Sequence, residues 1–427
     1  MNPEDLLQQI HVAEILLRHA PHPGDPAESA QPVIQFWESL APRRQREIAA
    51  LAEPPLPLPD RAGAPELARF LGELARRLPD VPPRELAGLY RRLSTPVGRD
   101  LAGGATAFLD QASPLERELA ERMIFLLACL VPDALDGLHE RILRLGVVWP
   151  GEIFRGSDPA VRDLLLELLP EAEEVLPFLL SALAWIGDSA VCLNFQQWRR
   201  EPPLWTAILE LSADQHTLDA AWHLRADGSR RELALPDCLE LVPAEEGGGH
   251  GAGPVRVIAP HEESCSGCAA PLVSLFDIDL TDPRTAFLGL DGSRLRIATC
   301  PACLPYSAPL LTEVDLEGRS VWSPANEPPS FVGDQLGALP AERLVLGEPQ
   351  PTPVAARPFA SGGPASQLGG HPSWHQEPEY PLCPECGEPM PFFGQVHLAD
   401  LGEPVDGIVF AFLCAPCGRA ATLYQQS

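Results

Sequence analysis

A chain of 427 residues with 45% apolar side chains has material for two or three domains with cores of their own. Its 31 basic residues, all Arg, face 59 acidic ones for a formal charge of −28, which argues against nucleic acid as the principal ligand because phosphate binding needs a basic face. No run approaches the roughly 18 apolar residues of a membrane span, and the opening MNPEDLLQQI lacks a signal-peptide pattern, so a cytoplasmic protein without membrane attachment is expected. The absence of Lys also excludes Schiff-base and P-loop chemistry.

Residues 1 to about 225 read as helical. Asn2-Pro3 starts a helix with a cap residue and Pro at N1. Ser113-Pro114-Leu115-Glu116 is a capping box ahead of the apolar run 123–130. Asp158-Pro159 opens another helix, with Val161, Leu164, Leu165 and Leu168 on one face. Helical pieces follow over roughly 173–185, 188–199 and 203–210, broken at Pro170, Gly187 and Pro202-Pro203. Short amphipathic helices with tight breaks fit either a HEAT-like stack or an irregular bundle. Trp185, Trp198 and Trp205 read as packing residues. Near residue 220 the period changes, and 221–235 reads as a hairpin around Asp227-Gly228 that closes the helical domain.

The expected organisation is therefore multidomain α+β. A helical domain, 1–243, ends in a β-hairpin. A Gly-rich flexible linker covers 244–256. A duplicated β-rich domain of zinc-ribbon or barrel-like type covers 257–427, with halves 257–325 and 369–427 and an irregular Pro-, Ala- and Gly-rich connection, 326–368.

Cysteine spacing carries the chemistry. Of eleven cysteines, Cys129, Cys192 and Cys238 stand singly among apolar residues and the other eight form four C-x-x-C pairs. Paired cysteines in a cytoplasmic chain point to metal. Residues 265–282 (CSGCAAPLVSLFDIDLTD) lie over 383–400 (CPECGEPMPFFGQVHLAD) without a gap at an offset of 118. Pro271 falls on Pro389, Ile278 on Val396 and Asp282 on Asp400. The second pair follows after 31 residues in the first half and 27 in the second. Each half thus reads C-x2-C, strand, turn, strand, C-x2-C. Two such knuckles complete tetrahedral coordination by four sulfurs, and thiolates favour zinc over magnesium or calcium. The expected ligands are Cys265, Cys268, Cys300 and Cys303 for one ion and Cys383, Cys386, Cys414 and Cys417 for a second. Redox dithiols or an iron–sulfur cluster are the alternatives, but a redox pair needs only one C-x-x-C. Four Cys per half leave no open catalytic position, so both zinc ions read as structural. The knuckles pair either within each half or across the two.

The segment 369–427 carries a further pattern: Gly369-Gly370-His371-Pro372-Ser373-Trp374, Cys383-x-x-Cys386, Phe392-Phe393-Gly394-Gln395, a buried strand 408–413, and Cys414-x-x-Cys417. It resembles the YwqG-like bacterial family and, more distantly, the programmed-cell-death protein 2 family of ribosome-maturation proteins. The resemblance implies a duplicated β-barrel-like domain acting as a protein-binding or chaperone-like module; the eukaryotic members escort a basic ribosomal protein. In the first half the GG-x-P-x-W motif is missing and Asp277 stands where Gln395 would be. Residues 257–427 hold 7 Arg against 20 acidic residues, and each four-thiolate zinc adds two negative charges, a surface that attracts a basic client and repels RNA.

Gly369, Gly370, Pro372, Trp374 and Gln395 are the candidate binding residues, as a tight turn or as the lining of a groove. Gln395 pairs with backbone if its face is buried. His371 and His375 have no metal role, because eight thiolates fill two sites. Glu377 and Glu379 read as a solvated acidic loop rather than an acid/base pair. The expected function is a non-enzymatic binding protein for a basic protein client. The alternatives are an immunity or antitoxin-type protein, and a zinc-dependent enzyme or nucleic-acid-processing factor, which needs an open metal position or a basic groove.

Overall fold

The computed structural model describes residues 95–109, 114–243, 253–332, 344–355, 366–401 and 407–426. The expected helix start at Asn2-Pro3, the Ser113 cap and most of the 244–256 linker lie outside them. Among these residues helices come first and β-sheets follow. The described residues divide into two compact units, one ending at Ile186 and one beginning at Gly187. No helix among them is long and apolar enough to cross a membrane.

The helical unit contains α1 (Thr95–Leu109), α2 (Pro114–Leu130), α3 (His139–Arg144), α4 (Pro159–Leu168) and α5 (Leu176–Ile186). Helix α5 is apolar on nearly every side and buries Leu176, Leu179, Leu180, Leu183 and Trp185, as a central helix must. The short turn Gly151–Phe154 lies directly on it: a Cβ at residue 151 would meet Ser181 Oγ at 2.5 Å, so only glycine permits the approach. Helix α4 starts at Pro159 as expected but buries a different stripe. Val161, Leu165 and Leu169 are inside, while Leu168 is 40% exposed, because the i, i+4, i+8 row faces the core.

The second unit starts with α6 (Ser189–Arg200), whose cap Asp188 accepts the Val191 N–H at 2.9 Å. The expected helix over 203–210 is a short 3-10 turn, Leu204–Ile208. The hairpin follows as β1 (Trp222–Leu224) and β2 (Arg230–Glu232), with Leu224 opposite Arg230 and Gly228 at φ 85° in the turn. It does not close the helical unit. Ala221 and Leu233 pack with Trp374, Phe392, Phe410 and Phe412, and the Leu233 carbonyl accepts the Phe392 N–H at 2.7 Å.

The remaining strands are β3 (Cys238–Pro243), β4 (Val255–Ser264), β5 (Pro271–Asp279), β6 (Arg294–Thr299), β7 (Leu310–Val314), β8 (Ser320–Trp322), β9 (Leu344–Pro349), β10 (Ser366–Gly369), β11 (Phe392–His397), β12 (Gly407–Cys414) and β13 (Arg419–Gln426). An eight-stranded antiparallel sheet runs β8-β7-β13-β12-β11-β10-β3-β9, and a three-stranded sheet runs β4-β5-β6. Strand β4 lies beside β9 at one edge and β6 beside β7 and β8 at the other, so the two sheets enclose a core. The sequence boundary at residue 243 is therefore not a break in the fold, since β3 sits inside the large sheet between β10 and β9. The 326–368 connection likewise contributes β9 and the start of β10.

Strand β12 has all eight residues buried. Its side chains alternate between faces. Val409, Ala411 and Leu413 enter the core shared with Val257, Phe276, Leu295 and Ile297 of the small sheet. Ile408, Phe410, Phe412 and Cys414 enter a second, aromatic core on the opposite face. An antiparallel strand covered on both faces reads as a continuous apolar run rather than an alternating one. Each fully buried Phe contributes roughly 2–3 kcal/mol.

The duplicated halves are interlocked. In the second half β13 follows the knuckle and pairs back on β12, with Phe412 opposite Ala421. In the first half β7 follows the knuckle but leaves β6 and pairs with β13, Leu311 opposite Ala421.

Candidate metal centres

The structure brings the eight paired cysteines into two clusters, each drawn from one half. The sulfurs of Cys265, Cys268, Cys300 and Cys303 all lie within 4.8 Å of one another, and so do those of Cys383, Cys386, Cys414 and Cys417. Pairing across the halves is thereby excluded. The Cys265–Cys303, Cys268–Cys300 and Cys386–Cys414 sulfur separations are 3.7, 3.5 and 3.9 Å. Four sulfurs held tetrahedrally at about 2.3 Å from a metal stand about 3.8 Å apart, whereas a disulfide requires about 2.05 Å. The donor sets therefore fit one metal ion each.

Local sequence explains the knuckles. The Cys265 carbonyl accepts the Ala269 N–H at 2.8 Å and the Cys383 carbonyl accepts the Gly387 N–H at 2.8 Å, so each C-x-x-C turns back on itself. The turn needs a left-handed residue at its end. Gly387 supplies it at φ 71°, and Ala269, its counterpart in the first half, is held there at φ 61°, at a cost glycine avoids. The second knuckle of the second half closes on Gly418 at φ 62°. There Arg419 clamps the site, bonding Glu385 through Nε at 3.1 Å and pairing with Glu313 at 2.9 Å.

The two sites differ in setting. Cys265, Cys300 and Cys303 are buried in the core between the sheets. Cys383 and Cys414 belong to the aromatic core on the other face, while Cys386 is exposed and Cys417 half-exposed. Burial pushes the Cys300 thiol up to about 12, and the hydrogen bond with Cys414 holds Cys417 at about 12. Cys386 goes the other way, to about 7, because the Glu388 N–H donates to its sulfur. A divalent ion supplies the charge that keeps four thiolates together.

The five candidate binding residues form the support of the large sheet. Gly369 and Gly370 turn at φ 68° and 67°. A Cβ on Gly369 would lie 2.3 Å from the Asp237 carbonyl, and one on Gly370 2.7 Å from the Pro353 carbonyl. Pro372 is buried, and Trp374 packs 4.8 Å from Phe410 between ring centroids. Gln395 is fully buried and its Oε1 accepts the Ser373 N–H at 2.9 Å. Pro372, Trp374 and Gln395 thus face inward. Glu377 and Glu379 are exposed.

Sequence reasoning missed two features. Asp277, standing where the second half has Gln395, is buried and gathers three arginines. Arg294 bonds both its oxygens at 2.6 Å, with Arg256 at 3.6 Å and Arg296 at 3.5 Å. The signal was present in Arg256, Arg294 and Arg296, spaced to share one sheet face. Cys238, read only as standing singly among apolar residues, donates from Sγ to Gln367 Oε1 at 3.0 Å, across the pairing of β3 with β10.

The chain is 32% identical over 349 residues to the uncharacterised protein YpfL of Salmonella typhimurium strain LT2, an alignment covering 79% of each chain. No protein-family profile matches the chain. No solved structure matches it either.

Proposed function

The chain belongs to the YpfL family, and on that premise we propose that it is a zinc-stapled, non-enzymatic protein-binding module, of chaperone or adaptor type, for a basic protein client in the cytoplasm. The observation that carries this reading is the closed geometry of the two clusters. Each has four sulfurs within 4.8 Å, which leaves no position for a substrate, as in structural zinc sites. Zinc suits four thiolates in a tetrahedron, having no geometric demand of its own. The surplus of acid supports the choice of client: at a charge of −28 the field steers cations inward and phosphates away. The helical unit, as a HEAT-like stack or an irregular bundle, adds a second surface. The resemblance to the YwqG-like and programmed-cell-death protein 2 families agrees with a binding role.

Two measurements test this. Elemental analysis of purified protein should find two zinc per chain; zero or one removes the two-site reading. Affinity purification with mass spectrometry should recover a basic protein whose capture weakens with salt. Recovery of no specific partner, or of nucleic acid in its place, overturns the binding role.

A further inference from the structure

One groove in the β-containing unit takes no part in either metal site. It has a volume of about 570 Å³ and runs between Pro236–Leu239, the turn at Pro283–Leu288 and the β9 end with its following loop. Its walls are proline rings, among them Pro283, Pro349 and Pro351, with the half-buried Phe287. Asp237 and Glu348 stand exposed at its rim. Arg284 also lines it but is held by Asp282 through hydrogen bonds of 3.0 and 2.8 Å. Gln350 donates from Nε2 to Glu240 at 3.1 Å, which fixes the amide, since the reverse orientation would set oxygen against carboxylate. Its Oε1 is then a buried acceptor without a partner. Such an atom is destabilising unless a donor arrives.

The groove is also braced from behind. A Cβ on Gly369 would lie 3.0 Å from Phe287 as well as against Asp237, and one on Gly370 would meet Pro353. The double-glycine turn therefore sets the floor on which these lining residues rest.

We propose that this groove receives an arginine side chain from an extended basic segment of the client, a reading that rests on the basic-client function above. A guanidinium is planar, weakly hydrated and carries five donors. It can stack on Phe287, donate to the Asp237 and Glu348 carboxylates, and give the Gln350 Oε1 its missing donor. A phosphate meets two carboxylates and an acceptor and is rejected. An apolar side chain leaves Gln350 unsatisfied.

The test uses the full chain and a capped heptapeptide alternating Gly and Arg, titrated by calorimetry at about 0.15 M salt, with a citrulline version as the uncharged isostere. The arginine peptide should bind and the citrulline peptide should not. The pair Asp237→Asn with Glu348→Gln should weaken binding about tenfold or more, and Gln350→Leu about fivefold. Changing two exposed acids of the helical unit, Glu173→Gln with Glu174→Gln, should change it less than about twofold. Melting curves matching the parent show that the variants fold. If both acidic pairs weaken binding equally, or neither does, the groove is not the site while the basic-client reading stands. If the parent binds neither peptide, the groove assignment falls. If it also captures no basic protein, the client reading falls with it.

Discussion

Replacing Cys303 by Ser removes one of the four thiolates of the buried site, at a residue only 1% exposed. Structural zinc sites have apparent binding free energies of roughly 10–16 kcal/mol. One ligand in four accounts for ~3 kcal/mol of that, which at about 1.4 kcal/mol per decade is on the order of a hundredfold in affinity. The loss falls where packing depends on it, since Cys265, Cys300 and Cys303 sit in one core with Leu272, Leu275 and Leu304. Against a total stability of about 5–15 kcal/mol, the small sheet should loosen. Cys386→Ser removes an exposed ligand of the other site and should weaken metal similarly with a smaller loss of fold. Chelator competition with zinc quantification, beside urea unfolding followed by circular dichroism, separates the two. The expected result is one tightly held ion in each variant and a clearly lower urea midpoint only for Cys303→Ser. A Cys303→Ser protein that holds two ions as tightly as the parent refutes the assignment.

Ala269→Gly should stabilise the protein by about 0.5–1 kcal/mol, because the alanine is held at φ 61° where glycine is unstrained; a lower melting temperature would contradict it. Asp277→Ala strands three arginines and should cost about 2–3 kcal/mol in denaturant unfolding, less than the 3–5 of a fully buried pair because the arginines keep contact with water. An unchanged midpoint would show that the cluster contributes nothing. His139 and His216 are held neutral, their pKa lowered from 6.5 chiefly by burial. Both folded values lie below the unfolded one, so stability is full above about pH 6.5 and declines as pH falls from there through the folded values. His139→Phe should flatten part of that decline.

The two four-cysteine clusters were the most legible part of the sequence because their chemistry is local. A C-x-x-C at Cys383 and Cys386 makes a knuckle whatever surrounds it, and the gapless match of 265–282 to 383–400 placed both strands that follow. Non-local pairings were hidden. Nothing in Leu310–Val314 says that β7 will abandon β6 for β13, because that choice depends on which edge is left open. The boundary after residue 243 failed for a related reason. CLELVP and LVLGEP are too short and too mixed to declare an inner and an edge strand, and a Gly-rich run separates β3 from the sheet it joins. The GG-x-P-x-W motif was visible, but its direction was not: Trp374 and Gln395 point inward because β11 and β12 are covered on both faces.

The exchange of β7 onto β13 ties together residues about a hundred positions apart, Glu313 with Arg419. Contacts of that span form late, after the loop between them has been closed. Until then the nascent first half carries an open β7 edge, and the second half an open β13 edge, each a template for the wrong neighbour. The complementary edges also mean that a chain severed between β8 and β9 would leave two pieces, each bearing the partner strand the other lacks. Mixed together they should reassemble, and kept apart each should aggregate. Recovery of the fold from the two pieces, read by circular dichroism, would show that the interlock acts in trans as well as in cis.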